Sequence, residues 1–188
     1  MTVVASNFER KANELYQTEP WATEALLRVI PDIGGWTVWE PAAGNHRIAD
    51  VLVKHRAYVT TSDIVHYDRP QMFIYDFLSG LPDGPDADAI ITNPPYGKGN
   101  RQAVTFAENA LGLCKGWVAL LLTAKFDSGK TRTHLFRKNP RFYGKVALLD
   151  RIQWFEGATT GTEDHAWYIW RPDDGAICNP MMFWEAKQ

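Results

Sequence analysis

The chain has 188 residues, 45% of them hydrophobic and 22% charged, which excludes a disordered or fibrous protein and suffices for one sizeable core. A formal net charge of -2 excludes nucleic-acid binding through overall charge, so phosphate contacts would need a local basic patch. Cys114 and Cys178 lack CxxC or Cys/His spacing, Met1 to Glu19 holds no signal-like apolar core, and no apolar run reaches about 18 residues. The expectation is one soluble, cytoplasmic domain, residues 1–188, without a metal site, disulfide framework or membrane span, and without a separate target-recognition region.

In chain order, Thr23 to Ile30 reads as a helix stopped by Pro31, and Gly34-Gly35 breaks the chain before a strand at Thr37 to Glu40. The next helix starts near Asn45, with Ile48, Val51 and Leu52 spaced to share one face. Ala57 to Ser62 reads as a strand ending at Asp63, and Phe73 to Phe77 as a third strand or edge segment. Ala87 to Thr92 is a strong strand, Ala103 to Leu113 a helix, and Trp117 to Leu122 a continuous apolar strand suited to a sheet centre. Lys145 to Leu149 and Ala166 to Trp170 complete the pattern, with His165 assigned to the core and one sheet face. Strands alternating with helices predict an α/β fold, a mostly parallel central sheet with helices on both faces. Such a sheet binds ligands beyond the carboxyl ends of its strands.

The most specific feature is Asn93-Pro94-Pro95-Tyr96, directly after the strand Ala89-Ile90-Ile91-Thr92. An exocyclic amine conjugated to a ring is a poor nucleophile, because its lone pair is delocalised. The Asn93 side-chain oxygen and the Pro94 carbonyl can accept its two hydrogens and turn the lone pair outward. Pro94 and Pro95 fix φ and keep those acceptors in place. Tyr96 offers a flat face on which an unstacked base can rest. Read structurally, the same residues make a proline turn closing a strand.

This segment resembles the catalytic motif of S-adenosylmethionine-dependent amino-methyltransferases, above all the DNA adenine-N6 enzymes. Glu40-Pro41-Ala42-Ala43-Gly44 looks like their cofactor-binding motif, and Tyr16-Gln17-Thr18 resembles a segment that contacts the methionine part of the cofactor in one subgroup. The resemblance covers about Tyr16 to Trp170. It implies a Rossmann-like class I methyltransferase fold and S-adenosylmethionine as cofactor. It also implies DNA as partner, with methyl transfer to adenine N6; lax sequence specificity is expected because the separate recognition region usual in sequence-specific members is not evident. A protein glutamine or an RNA base is the alternative acceptor, and a catalytically inactive nucleic-acid-binding relative is the remaining reading.

Gly44, between strand and helix, lets backbone approach a ligand without a Cβ. The family often has a second glycine where this chain has His46. Asp63, about 20 residues after the turn, can accept from ribose hydroxyls or cap a strand end. Asp76 and Phe77 match the family position beside the cofactor adenine, while Tyr16 and Thr18 also suit a capped helix start before Pro20. Lys125, Lys130, Arg132, Arg137, Lys138, Arg141 and Lys145 form a basic segment with Phe136, Phe142 and Tyr143 interleaved. Lys125, Lys130, Arg132, Arg137 and Lys138 are the candidate phosphate contacts, with a solvated helix face as the plain reading. Trp154-Phe155 is a further candidate wall for an extruded base.

Overall fold

Ile90 and Ile91, like Val118 through Leu122, carry apolar side chains at successive positions, which suits strands covered on both faces. The computed structural model describes residues 15–80, 84–154, 163–172 and 179–188. Phe155, Cys178 and most of Met1 to Glu19 lie outside the described residues. In chain order the elements are α1 (Pro20–Leu27), β1 (Thr37–Glu40), α2 (Arg47–Lys54), β2 (Tyr58–Asp63), β3 (Phe73–Ile74) and β4 (Ala89–Thr92). They continue as α3 (Arg101–Leu113), β5 (Trp117–Thr123), β6 (Phe142–Leu148), β7 (His165–Trp170) and β8 (Met181–Glu185).

The strands form one sheet in the order β3-β2-β1-β4-β5-β7-β6-β8. All neighbouring pairs are parallel except those that β7 makes with β5 and β6, which are antiparallel. Side chains alternate between two cores. Ile90, Val118, Leu120 and Leu122 pack with Phe106, Ala107 and Ala110 of α3 on one face. Ile91, Ala119 and Leu121 pack with Leu26 of α1 and Ile48 and Leu52 of α2 on the other. Each fully buried Leu, Ile or Phe contributes about 1.5–3 kcal/mol, so this two-faced packing holds the layers together.

Five elements differ from the sequence expectation, two of them, α1 and β6, by beginning three residues early at Pro20 and Phe142. The ladder of β3 is only two residues long, yet Phe73, Tyr75 and Phe77 keep strand spacing and surround Trp39 with ring centroids 6.3, 5.5 and 5.2 Å away. All of β7 is buried, with Tyr168 and Trp170 in one core and Trp167 and Ile169 in the other. Sequence reading missed β8, whose Met181, Met182 and Trp184 are exposed and so show no apolar alternation.

Strand order reverses between β1 and β4, which places a crevice beyond their carboxyl ends. Glu40 ends β1 and Thr92 ends β4, so the turns that begin at Pro41 and at Asn93 both open onto it.

Candidate active site

A cavity of about 620 Å³ lies in this crevice, within the usual size of a small-molecule site. Tyr16, Thr18, Glu40, Pro41, Ala42, Gly44, Asp63, Asp76, Phe77, Asn93 and Pro95 all line it. These residues come from five separate stretches of chain, brought together by the ends of β1, β2, β3 and β4 and by the segment before α1.

Gly44 sits at φ +50°, and a Cβ there would meet Leu15 Cδ1 at 2.8 Å, so only glycine fits without displacement. Its N–H donates to Asp63 Oδ2 at 2.9 Å, and its carbonyl accepts from Gln71 Nε2 at 2.6 Å. His46 follows at φ 64°, ψ 26°, the left-handed region that glycine favours, and caps α2 by backbone alone. Its Nε2 lies 3.0 Å from Gln71 Oε1. Glu40, almost fully buried, accepts the Ala49 N–H in the first turn of α2 at 2.9 Å.

Two buried carboxyls, Glu40 and Asp63, thus line one cavity. Burial pushes Glu40 well above the usual carboxylate range; the Ala49 amide opposes this, while the negative charges of Asp63 and Asp50 reinforce it. Burial also raises Asp63, against the Gly44 and Ile64 amides and Tyr67, which favour its ionised form. Its second oxygen accepts from Ile64 N–H at 2.8 Å. Asp63 therefore holds the glycine turn, and any ribose hydroxyl would share oxygens already in use. Asp76 differs: it is exposed, and one oxygen accepts from Leu78 N–H at 3.0 Å. Phe77 is buried and stacked on Phe106 with centroids 4.2 Å apart, so the core sets its orientation.

On the other wall, Asn93 Nδ2 donates to the Tyr16 carbonyl at 3.1 Å. That bond fixes the amide so that Oδ1 points elsewhere, and this buried oxygen has no partner among the described residues. Tyr96 departs from its expected place. It is not among the cavity-lining residues; its hydroxyl donates to the Leu121 carbonyl at 3.1 Å and its ring stacks on His165 at 6.1 Å. Trp154 meets His165 edge-on at 5.0 Å and Tyr16 at 5.9 Å, forming an aromatic wall beside the Asn93 loop. Burial drives His165 down to about 4, against the Glu163 carbonyl and Asp164 carboxylate, which favour its charged form. His165 opens β7 opposite Thr123, at the same end of the sheet.

The basic segment divides. Lys125, Lys130, Arg137 and Lys138 are exposed along the segment that joins β5 to β6, while Arg132 is half-buried over the Phe126 ring at 4.6 Å. Arg141 is buried and donates to the carbonyls of Arg171, Leu111 and Gly116. Lys145 bonds the Ala124 carbonyl and pairs with Asp127 at 3.1 Å. Phe136 and Phe142 lie in the core and cannot stack on bases from there. Sequence reading missed Lys98 and Gln102, which line the cavity just after the Asn93 loop, and Gln71, which approaches Gly44 only through folding. Lys98, two residues past Tyr96, was the one with a signal to follow.

No family model matches the chain, and no curated protein matches it. Solved structures do. A protein from Pyrococcus horikoshii described as a candidate RNA methyltransferase aligns with TM-score 0.64 at 15% identity, over 80% of this chain and 83% of that one. A candidate class I S-adenosylmethionine-dependent methyltransferase from Listeria monocytogenes aligns with TM-score 0.60 at 14% identity, over 87% of this chain and 62% of that one. A modification subunit of a candidate type I restriction enzyme from Vibrio vulnificus aligns with TM-score 0.59 at 13% identity, over 88% and 49%. The chain therefore spans less than two thirds of the length of the last two. The fold is the Rossmann-like class I methyltransferase fold. Among the described residues, no helix is long and apolar enough to cross a membrane.

Proposed function

We propose that the protein transfers a methyl group from S-adenosylmethionine to an exocyclic amino nitrogen, with adenine N6 in DNA as the acceptor. The observation that carries this reading is Asn93: its Nδ2 is held by Tyr16, leaving a buried Oδ1 unpartnered beside the cavity. An unmet buried acceptor costs about 1–3 kcal/mol, so the site is built for a donor that arrives with a ligand. The cofactor fits the residues present. The Gly44 turn gives a close approach without a Cβ, and Asp76, Glu40 and Asp63 supply acceptors along the same cavity.

The cofactor, when bound, supplies an activated methyl group on a cationic sulfur. The chain's part is to orient the acceptor. Asn93 Oδ1 and the Pro94 carbonyl take the two amine hydrogens, so the nitrogen lone pair is freed and aimed at the cofactor end of the cavity. The surplus proton leaves to solvent after attack. The wall of Tyr96, His165 and Trp154 shields the ring from water.

A nucleic acid suits the exposed cations Lys125 and Lys130, which follow the crevice end of β5 and which a glutamine side chain would not need; Arg137 and Lys138 lie further along, as the chain runs to Phe142 at the opposite end of the sheet. The similar structures include a restriction-modification subunit and a candidate RNA methyltransferase, so an RNA base is the second reading. Transfer of labelled methyl to DNA, RNA and protein acceptors, followed by nucleoside analysis, tests the proposal. N6-methyladenine in DNA is expected; label confined to RNA or to protein would overturn the acceptor.

A further inference from the structure

His46 occupies a backbone conformation that costs a non-glycine residue about 1–2 kcal/mol. Its side chain does not line the cavity; it is buried against Gln71, from the segment between β2 and β3. The Gly44 carbonyl can only accept, so the Gln71 group facing it at 2.6 Å is the amide NH₂. Oε1 then faces His46, and the imidazole proton must sit on Nε2. Gln71 is itself anchored, because its backbone N–H donates to His66 Nδ1 at 3.0 Å. Both peptides that flank the Gly44 Cα are thus held, the Ala43–Gly44 unit at its N–H by Asp63 and the Gly44–Asn45 unit at its carbonyl by Gln71.

We propose that Gln71, oriented by His46, is a positioning residue of the cofactor site, fixing the Gly44–Asn45 peptide plane so that the loop is preorganised for its ligand. This rests on the cofactor reading above. The side chain at position 46 thereby gives the turn a fixation that a second glycine could not.

Gln71→Glu separates the two bonds, since a carboxylate still accepts from His46 but cannot donate to Gly44. Calorimetry with S-adenosylmethionine and S-adenosylhomocysteine should show about tenfold weaker binding. The cofactor KM should rise in step, while kcat at saturating cofactor and the acceptor KM stay within about twofold. His46→Gly relieves the backbone but frees Gln71, so it should weaken binding by less, and the double variant should be no worse than Gln71→Glu alone. Amide exchange over Gly44 to Ala49 should quicken in both single variants. A lowered melting temperature with unchanged cofactor affinity would make Gln71 merely structural and overturn the proposal, as would additive effects in the double variant. If the unaltered protein binds neither nucleoside, the cofactor reading fails, but exchange still decides the clamp: faster exchange in Gln71→Glu supports it and unchanged exchange overturns it.

Discussion

The two halves of the crevice treat buried polar atoms in opposite ways. Around Gly44 the described groups are joined: Asp63 holds two amides, Glu40 a third, and Gln71 links a carbonyl to His46. Around Asn93 they are left open, with Thr18 Oγ1, Thr92 Oγ1, Asn93 Oδ1 and His165 Nδ1 all buried and unpartnered among the described residues. A satisfied network makes a rigid cradle; unsatisfied acceptors raise the energy of the empty site and lower it again when donors arrive. Cofactor affinity should therefore depend on the loop network, and turnover on the open atoms.

The sharpest way to break this contrast is Asn93→Ala. Loss of one preorganised group that meets developing charge should lower kcat by about 10²–10³-fold. Cofactor affinity, set on the other wall, should change little. Kinetics paired with calorimetry measures both, and an equal fall in the two would merge the halves into one unit.

The halves should also respond oppositely to acid. His165 is lowered from 6.5 to about 4, so between those values the unfolded chain takes up a proton that the folded chain refuses. Its contribution to stability is present above pH 6.5 and is lost as pH falls towards 4, by up to about 3 kcal/mol. Glu40 is raised, so its contribution has the other sign: present at low pH and lost as pH rises through its folded value. Urea unfolding from pH 4 to 8 should show a shallower acid loss in His165→Phe and a shallower alkaline loss in Glu40→Gln. Parallel curves for all three proteins would mean that neither burial reaches solution.

Much of the fold was legible because the strands facing two cores, Ala89–Thr92 and Trp117–Thr123, are apolar at successive positions, and because Ile48, Val51 and Leu52 mark one helix face. β8 was not, since a strand with Met181, Met182 and Trp184 exposed has no pattern to read. In the site, Gly44 and Asn93 stood out by local chemistry. Gln71 did not, because its bond to Gly44 spans 27 residues and no local spacing encodes it. Phe136 and Phe142 misled for the same reason: interleaving with cations says nothing about which way a ring turns, and theirs turn inward to Trp170.

Asp63→Ala should cost about 1–3 kcal/mol in cofactor affinity by freeing the Gly44 and Ile64 amides. Asp63→Asn sharpens the test. An amide can still accept one of those hydrogen bonds, so it should recover part of the loss if the carboxylate acts through the loop. If Asn is as damaging as Ala, calorimetry would instead point to a direct charge contact with the ligand.

The smallest effects belong to the cations of the segment Lys125 to Lys145, where exposure separates two populations that look alike in sequence. Lys130 is exposed, so Lys130→Gln should lower DNA affinity modestly on every sequence and reduce the slope of log affinity against log salt by about 1, one phosphate contact fewer. Arg141→Gln should leave that slope alone, because its guanidinium already donates to three backbone carbonyls in the interior. Its cost appears as a lowered melting temperature, since those carbonyls lose their donors. Lys145→Gln should behave like Arg141→Gln, through its lost bonds to Ala124 and Asp127. Phosphate contacts set affinity and register but do not read bases, so mapping methylated adenines in genomic DNA should show little sequence preference in either class of variant. A salt slope that changes with Arg141 and not with Lys130 would place the nucleic acid on a different face from the one that the exposed lysines mark.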